Sequence, residues 1–337
     1  DTFGDVPYSE ALNPSENTLP KYDDAATIYA DLMVRLDLAI SQLSSAPGGF
    51  TSADLLYGGD LAAWSKFANS LKLRLAMRLS DVNPSVSKTA AEQAVASGVF
   101  TSNSDNTALQ YLSAPPNTNP IWVAIIQSGR KDYVAANTLV DYMNDLSDPR
   151  LDHYFKDKVN GAYLGGPYGE TNTYSKYSHI NSQILAPDFE GTLIDFVEVS
   201  FLQAEAVERG YTISGSAEQH YNNGIESSIL YWGGSAADVT TYMANPKVAY
   251  ATATGDWKEK IAMQFWLGMY NRGCEGWNVW RKFDNPQLNI PVASQRAIPT
   301  RYTYPITEQN LNETNRSAGA TSIGGDTQNT KIFWDVN

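Results

Sequence analysis

The sequence contains one cysteine, Cys274, so no internal disulfide can staple the fold. That suits a cytosolic chain, or an exported one that does not rely on disulfides. It has three histidines, His153, His179 and His220, far apart and without the paired spacing of a zinc site. No metal is therefore expected. No run approaches the ~20 apolar residues that a membrane span needs. Charged residues are scarce at 18%, and positive charge is scarcer: 24 Lys and Arg against 37 Asp and Glu give a net charge of −13. An acidic surface repels phosphate backbones and anionic headgroups, which excludes nucleic acid as an expected partner. Calcium-loop, Walker and dinucleotide motifs are missing, so no cofactor is expected.

What the chain has instead is Asn, Ser, Thr, Gly and an excess of aromatic residues with polar handles. There are 20 Tyr against 11 Phe, and 8 Trp. Such rings offer an apolar face and a hydrogen-bonding edge, which suits polar organic ligands. Filling half-buried positions is the plainer role, and most of the tyrosines are expected to have it.

Apolar residues recur mainly at the helix period. Ile28, Leu32, Leu36, Ala39, Ile40 and Leu43 predict a helix from about Asp23 to Ser44. Trp64, Phe67, Leu71, Leu75 and Leu79 predict a second, capped by Asp60. Asn83, Pro84 and Gly98 punctuate a third. Further helices are expected at about Val134–Leu146, Ile194–Arg209, Ser216–Tyr231 and Trp257–Arg272, with Ser216 and Gln219 as a capping box. The helical body thus covers about 23–146 and 194–272. The region of about 147–193 reads as irregular, because Gly161, Gly165, Gly166, Pro167, Gly169 and Pro187 crowd into it. The segment of about 285–337 reads as loop with short extended pieces at Tyr302–Ile306 and Ile332–Asp335. The fold class is mainly α: tetratricopeptide-like helix pairs, long irregular loops and a few short strands.

Two short matches to catalytic motifs are set aside. Ser85-Val86-Ser87-Lys88 and Ser104-Asp105-Asn106 echo penicillin-recognising serine enzymes, but the third motif of that set is missing. Glu170, Asp188, Asp195 and Glu198 are the acids that a glycoside hydrolase could use; solvated acids are the simpler reading in so acidic a chain. The stretch from Tyr163 to His179 is the one place where composition points to a ligand. Tyr163, Tyr168, Tyr174 and Tyr177 alternate with Asn172, Lys176 and His179. Sugars lay C–H faces on aromatic rings and pair hydroxyls with amide or imidazole groups. The alternative is a loop that its tyrosines pin to the body. Trp122 and Trp232, both beside expected helix ends, complete the candidate ligand-binding set.

Several segments, in order from first to last, resemble the SusD/RagB family and its second large branch. They are Thr2-Phe3-Gly4-Asp5-Val6-Pro7-Tyr8, Tyr57-Gly58-Gly59-Asp60 with Trp64, and Lys66-Phe67-Ala68-Asn69-Ser70-Leu71 with Met77-Arg78. Asp148-Pro149-Arg150-Leu151, Phe201-Leu202-Gln203-Ala204-Glu205-Ala206 and Arg209-Gly210 follow. Then come Gln264, Trp266, Tyr270, Glu275, Trp277 and Arg281, and the closing Pro299, Arg301, Tyr304-Pro305, Glu308, Lys331 and Trp334-Asp335. No single match is specific; their order is. Each also has a purely structural reading, such as Glu205 and Arg209 at the ordinary surface ion-pair spacing.

The resemblance implies a single SusD-like domain over 1–337, forming the C-terminal portion of a longer lipoprotein whose anchor and first helices are not in this sequence. It implies a protein on the cell-surface side of the outer membrane that binds oligosaccharide, or less often peptide. It further implies delivery of that ligand to a SusC-like, TonB-dependent barrel transporter, without catalysis. A helical glycan-degrading enzyme and a helical protein-interaction scaffold are the alternatives.

Overall fold

A computed structural model describes residues 1–11, 13 and 15–337. Helices begin where short polar side chains can accept from free backbone N–H groups. Asp24 accepts from Thr27 to start α1 (Ala25–Ser45). Asp60 accepts from Ala62 and Ala63 to start α2 (Leu61–Arg78). Asn83 accepts from Val86 at α3 (Pro84–Ser97), with Pro84 in the first turn. After the short α4 (Pro120–Trp122), α5 (Asn137–Asp145) and α6 (Leu151–Tyr154), the longer helices resume. They are α7 (Phe196–Glu208), α8 (Ala217–Tyr231), α9 (Ala236–Met243), α10 (Trp257–Gly268) and α11 (Gly273–Phe283). Two more, α12 (Ile306–Leu311) and α13 (Glu313–Ser322), lie near the C-terminus.

Among the described residues strands are confined to three antiparallel pairs, none with a strand longer than four residues. They are β1 (Val6–Pro7) with β2 (Tyr22–Asp23), β3 (Thr107–Leu109) with β6 (Gly191–Ile194), and β4 (Phe155–Lys156) with β5 (His179–Ile180). The protein is therefore helical, as the periodicity predicts. Helices stack on their sequence neighbours: α1 on α2, α2 on α3, α7 on α8, and α10 on α11, with α7 also against α10. Gly224 permits the close approach of α8 to α7, because a Cβ there would meet the Phe201 ring at 2.7 Å.

Several expectations are corrected. α5 starts at Asn137, three residues later than expected, because Ala135 bonds to Ser178 and the extended Ala136 bridges to Gly166. The helix expected over Trp257–Arg272 stops at Gly268, and Gly273 opens a new helix instead of closing the old one. α9 carries a complete capping box of Ser235 and Asp238 that the apolar pattern did not reveal. At Ser216 the serine cap forms onto the Gln219 N–H. The last segment holds α12 and α13, while Tyr302–Tyr304 and Ile332–Asp335 pair in no sheet. Glu205 and Arg209 are not a surface pair. Glu205 is fully buried and also meets Lys282 at 2.6 Å, while Arg209 reaches Asp81 at 2.8 Å. Burial pushes the Lys282 ammonium down to about 8, against the pull of Glu205.

The two ends of the chain form one layer. Trp334 donates to the Asp1 carboxylate at 2.8 Å, and Arg281 donates to the Asp1 carbonyl at 2.8 Å. Arg301 donates to the Phe3 carbonyl, the Tyr302 N–H to that of Thr2, and the Tyr304 hydroxyl to that of Asp5. This layer holds the segment around residue 300 against α11.

Candidate functional site

The irregular region is tied down at its base. Ala135 donates to Ser178, Ser178 to Leu164, and Gly166 back to Ala135, each at 2.7–2.8 Å. Tyr163 belongs to this base. Its ring is buried beside Phe155, and its hydroxyl donates to Asp152 at 2.7 Å. Burial, helped by that carboxylate, pushes the hydroxyl pKa up. The Asn172 amide also serves the loop, donating to the carbonyls of Pro167 and Glu170.

Beyond the base, the loop projects to two sides. On one side, the backbone at Tyr168 and Gly169 accepts from Val292 and Ala293, which draws the 285–299 segment alongside. Gly169 has φ +81°, and a Cβ there would strike Pro291 at 2.6 Å, so glycine is required. Tyr168, 40% exposed, then shares a hollow of about 310 Å3 with Trp277, Ile298, Arg301 and Tyr302. The Trp277 indole N–H donates to the Pro299 carbonyl at 2.9 Å, and its ring meets Tyr302 edge-on at 5.6 Å. The guanidinium of Arg281 covers it at 3.7 Å. Burial, reinforced by Arg78, lowers the Arg281 pKa to about 10. Trp277 also borders a second hollow of about 260 Å3, with Trp266, Tyr270, Trp280 and Leu288. The result is a continuous aromatic face across α10, α11 and two loops. Such faces can stack on sugar rings while amide and hydroxyl edges take their hydroxyls.

On the other side, Tyr174 stacks on His179 with centroids 3.8 Å apart. The two border a separate hollow of about 220 Å3 with Tyr133. Both ring nitrogens of His179 face acceptors: Asp157 at 2.8 Å and the Tyr174 carbonyl at 3.0 Å. The structure thus separates Tyr168 from Tyr174 and His179. Tyr177 and Trp122 are half-buried and border none of these hollows. Trp232 is corrected from candidate to core residue. It is 4% exposed and enclosed by Tyr154, Phe189, Tyr231 and Tyr270. Tyr163 is likewise a pinning residue, with no open ring face.

The acids considered for hydrolysis are split as well. Asp195 caps α7 and meets Arg272 at 2.9 Å, and Glu198 is gripped by Arg74. Both are buried in an ion network; Glu170 and Asp188 are exposed. Burial raises the Asp195 pKa despite Arg272. No group of three or more His, Cys, Asp or Glu side chains is placed to hold a metal among the described residues.

The family SusD-like_2, described as "Starch-binding associating with outer membrane", matches residues 1–305. The chain belongs to this family. Three solved structures resemble this SusD-like chain along all of its length. A chitin-binding protein is 32% identical, with a TM-score of 0.87 and 77% of its own chain covered. A chitin-binding SusD homolog from Flavobacterium johnsoniae is 29% identical, with a TM-score of 0.85 and 77% covered. A SusD homolog from Bacteroides uniformis ATCC 8492 is 26% identical, with a TM-score of 0.89 and 78% covered. A comparison with curated proteins finds no match. No described helix of the SusD-like chain is long and apolar enough to cross a membrane.

The aromatic residues that border these hollows in this SusD-like chain and were not among the sequence candidates are Trp266, Tyr270, Trp277, Trp280 and Tyr302. Trp266 lies in α10, Tyr270 in the turn after it, and Trp277 and Trp280 three apart in α11. The break between the two helices leaves no single helical stripe to mark them, and core packing was the more obvious role for each ring.

Proposed function

We propose that this SusD-like protein captures oligosaccharide on the outer face of the outer membrane and passes it to a SusC-like, TonB-dependent transporter. It makes and breaks no bonds. The observation that carries this reading is the aromatic face on which Trp277 joins two hollows. Starch in the family description, and chitin as the ligand of two similar structures, favour a glycan over a peptide. The full-length protein is held at the membrane by a lipid anchor. Acids sealed by arginine, as Asp195 and Glu198 are, suit a binder better than a hydrolase.

Calorimetric titration with maltohexaose and chitohexaose tests the reading. Binding to at least one is expected, with affinity lost in Trp277→Ala. Reducing-end assays on the same mixtures should stay at background. Failure to bind any glycan, or turnover above background, overturns the proposal. Pull-down from native outer membranes should recover a large barrel transporter; recovery of cytoplasmic partners alone would refute the location.

A further inference from the structure

The hollow beneath Tyr174 has a chemistry unlike the rest of the surface. Arg130, Lys131, Lys156 and His179 border it together with Tyr133 and Tyr174, and no carboxylate does. This happens in a chain with 37 acids and 24 bases. Two of these side chains lie beside carboxylates. Arg130 pairs with Asp132 and lies over the Tyr133 ring at 4.7 Å, and His179 meets Asp157. Lys131 and Lys156 have no carboxylate partner among the described residues; Lys156 reaches only the Ser182 hydroxyl, at 3.3 Å. Lys131 is exposed and Lys156 half-buried, so both ammonium groups are within reach of a ligand in the hollow.

An unmatched positive rim above an apolar floor and an aromatic wall fits a particular ligand class. The floor takes the C–H face of a sugar, the tyrosine stacks on it, and the lysines take a negative substituent. We propose that this hollow is a subsite for sugars carrying a carboxylate or a sulfate, so that the natural ligand is an acidic oligosaccharide. This rests on the glycan-binding reading above and adds charge to the ligand. The net negative field of the chain does not prevent it. Charges farther than about 8 Å are largely screened at physiological salt, and of the nearby carboxylates Asp132 is held by Arg130 and Asp157 faces the His179 ring.

The test compares oligosaccharides of one length: hexagalacturonate for the carboxylate, a chondroitin sulfate hexasaccharide for the sulfate, and neutral maltohexaose and chitohexaose. Inorganic sulfate is the control. At least one acidic hexasaccharide should bind about tenfold or more tightly than the better neutral one. That advantage should shrink several-fold between 50 and 500 mM salt, in the manner of a screened ionic contact. Lys131→Glu, and Lys131→Ala with Lys156→Ala, should abolish the preference. Binding of neutral glycans only, with affinity lost in Trp277→Ala, sinks the acidic subsite and leaves the glycan reading standing. Binding of no sugar at all removes both. Sulfate ion binding as tightly as the sugars would reduce the hollow to a simple anion site, and acidic sugars binding the lysine variants unchanged would also overturn the proposal.

Discussion

Arg74 grips Glu198 through two parallel hydrogen bonds of 2.5 and 2.7 Å, joining α2 to α7 across the helical body. Arg272 closes the same carboxylate from a third direction. Burial alone would push the Glu198 carboxyl up, but the two arginines outweigh it and hold it at about 2. Removing one partner of a buried pair leaves uncompensated charge, at a cost of about 3–5 kcal/mol. Glu198→Gln should therefore melt many degrees earlier at pH 7, by circular dichroism at 222 nm.

The same pair sets an acid limit. A carboxylate whose folded pKa is depressed contributes stability above its unfolded value, and that contribution disappears as pH falls through the folded value. For Glu198 the window runs from 4.5 down to about 2, and the contribution is about 3 kcal/mol. The stability gap between the native protein and Glu198→Gln should narrow across that window in urea titrations. A gap that stays constant down to pH 2.5 would mean that the ion pair is not the cause.

Tyr168 and Tyr302 are 40% and 60% exposed on the aromatic face. A ring stacked on a sugar contributes about 1 kcal/mol beyond its burial, or about fivefold in affinity. Tyr168→Ala and Tyr302→Ala should each weaken glycan binding by that factor and leave the melting temperature nearly unchanged. Normal binding by both would move the site off this face.

Tyr174→Ala should separate the two sides of the loop. Its ring belongs to the hollow with His179, away from Trp277. It should weaken acidic sugars by about fivefold, while stability falls only slightly because the ring is half-exposed.

Trp232→Ala should do the reverse. Truncating a buried tryptophan costs about 3–5 kcal/mol. The melting temperature should drop sharply, and glycan affinity, measured well below it, should hold. A selective loss of affinity would return Trp232 to the ligand site.

The helices were legible because their apolar residues keep the 3.6 period and their caps are local, as at Asp60 and Asn83. α9 and α13 were not, since both helices are short and their apolar stripes with them. The candidate site was half legible. Tyrosine density singled out the loop, but it could not tell that Tyr163 turns inward to Asp152 while Tyr168 turns outward to Trp277. That choice depends on contacts with residues around 290 and 300, which no local pattern encodes. Glu205 and Arg209 misled for the same reason: their spacing is that of a surface pair, and only Lys282, supplied from α11, shows the site to be sealed.

The layer that joins the chain ends imposes an order of assembly. Neighbouring helices such as α2 and α3 can close while later residues are still being synthesised, because their partners are near in sequence. The Arg301–Phe3 and Trp334–Asp1 bonds span 298 and 333 positions. They must wait for nearly the whole chain. Tyr302 and the Pro299 carbonyl that holds Trp277 depend on that closure. The aromatic face thus forms only after the helices that carry it, once the segment around residue 300 has docked on the first residues.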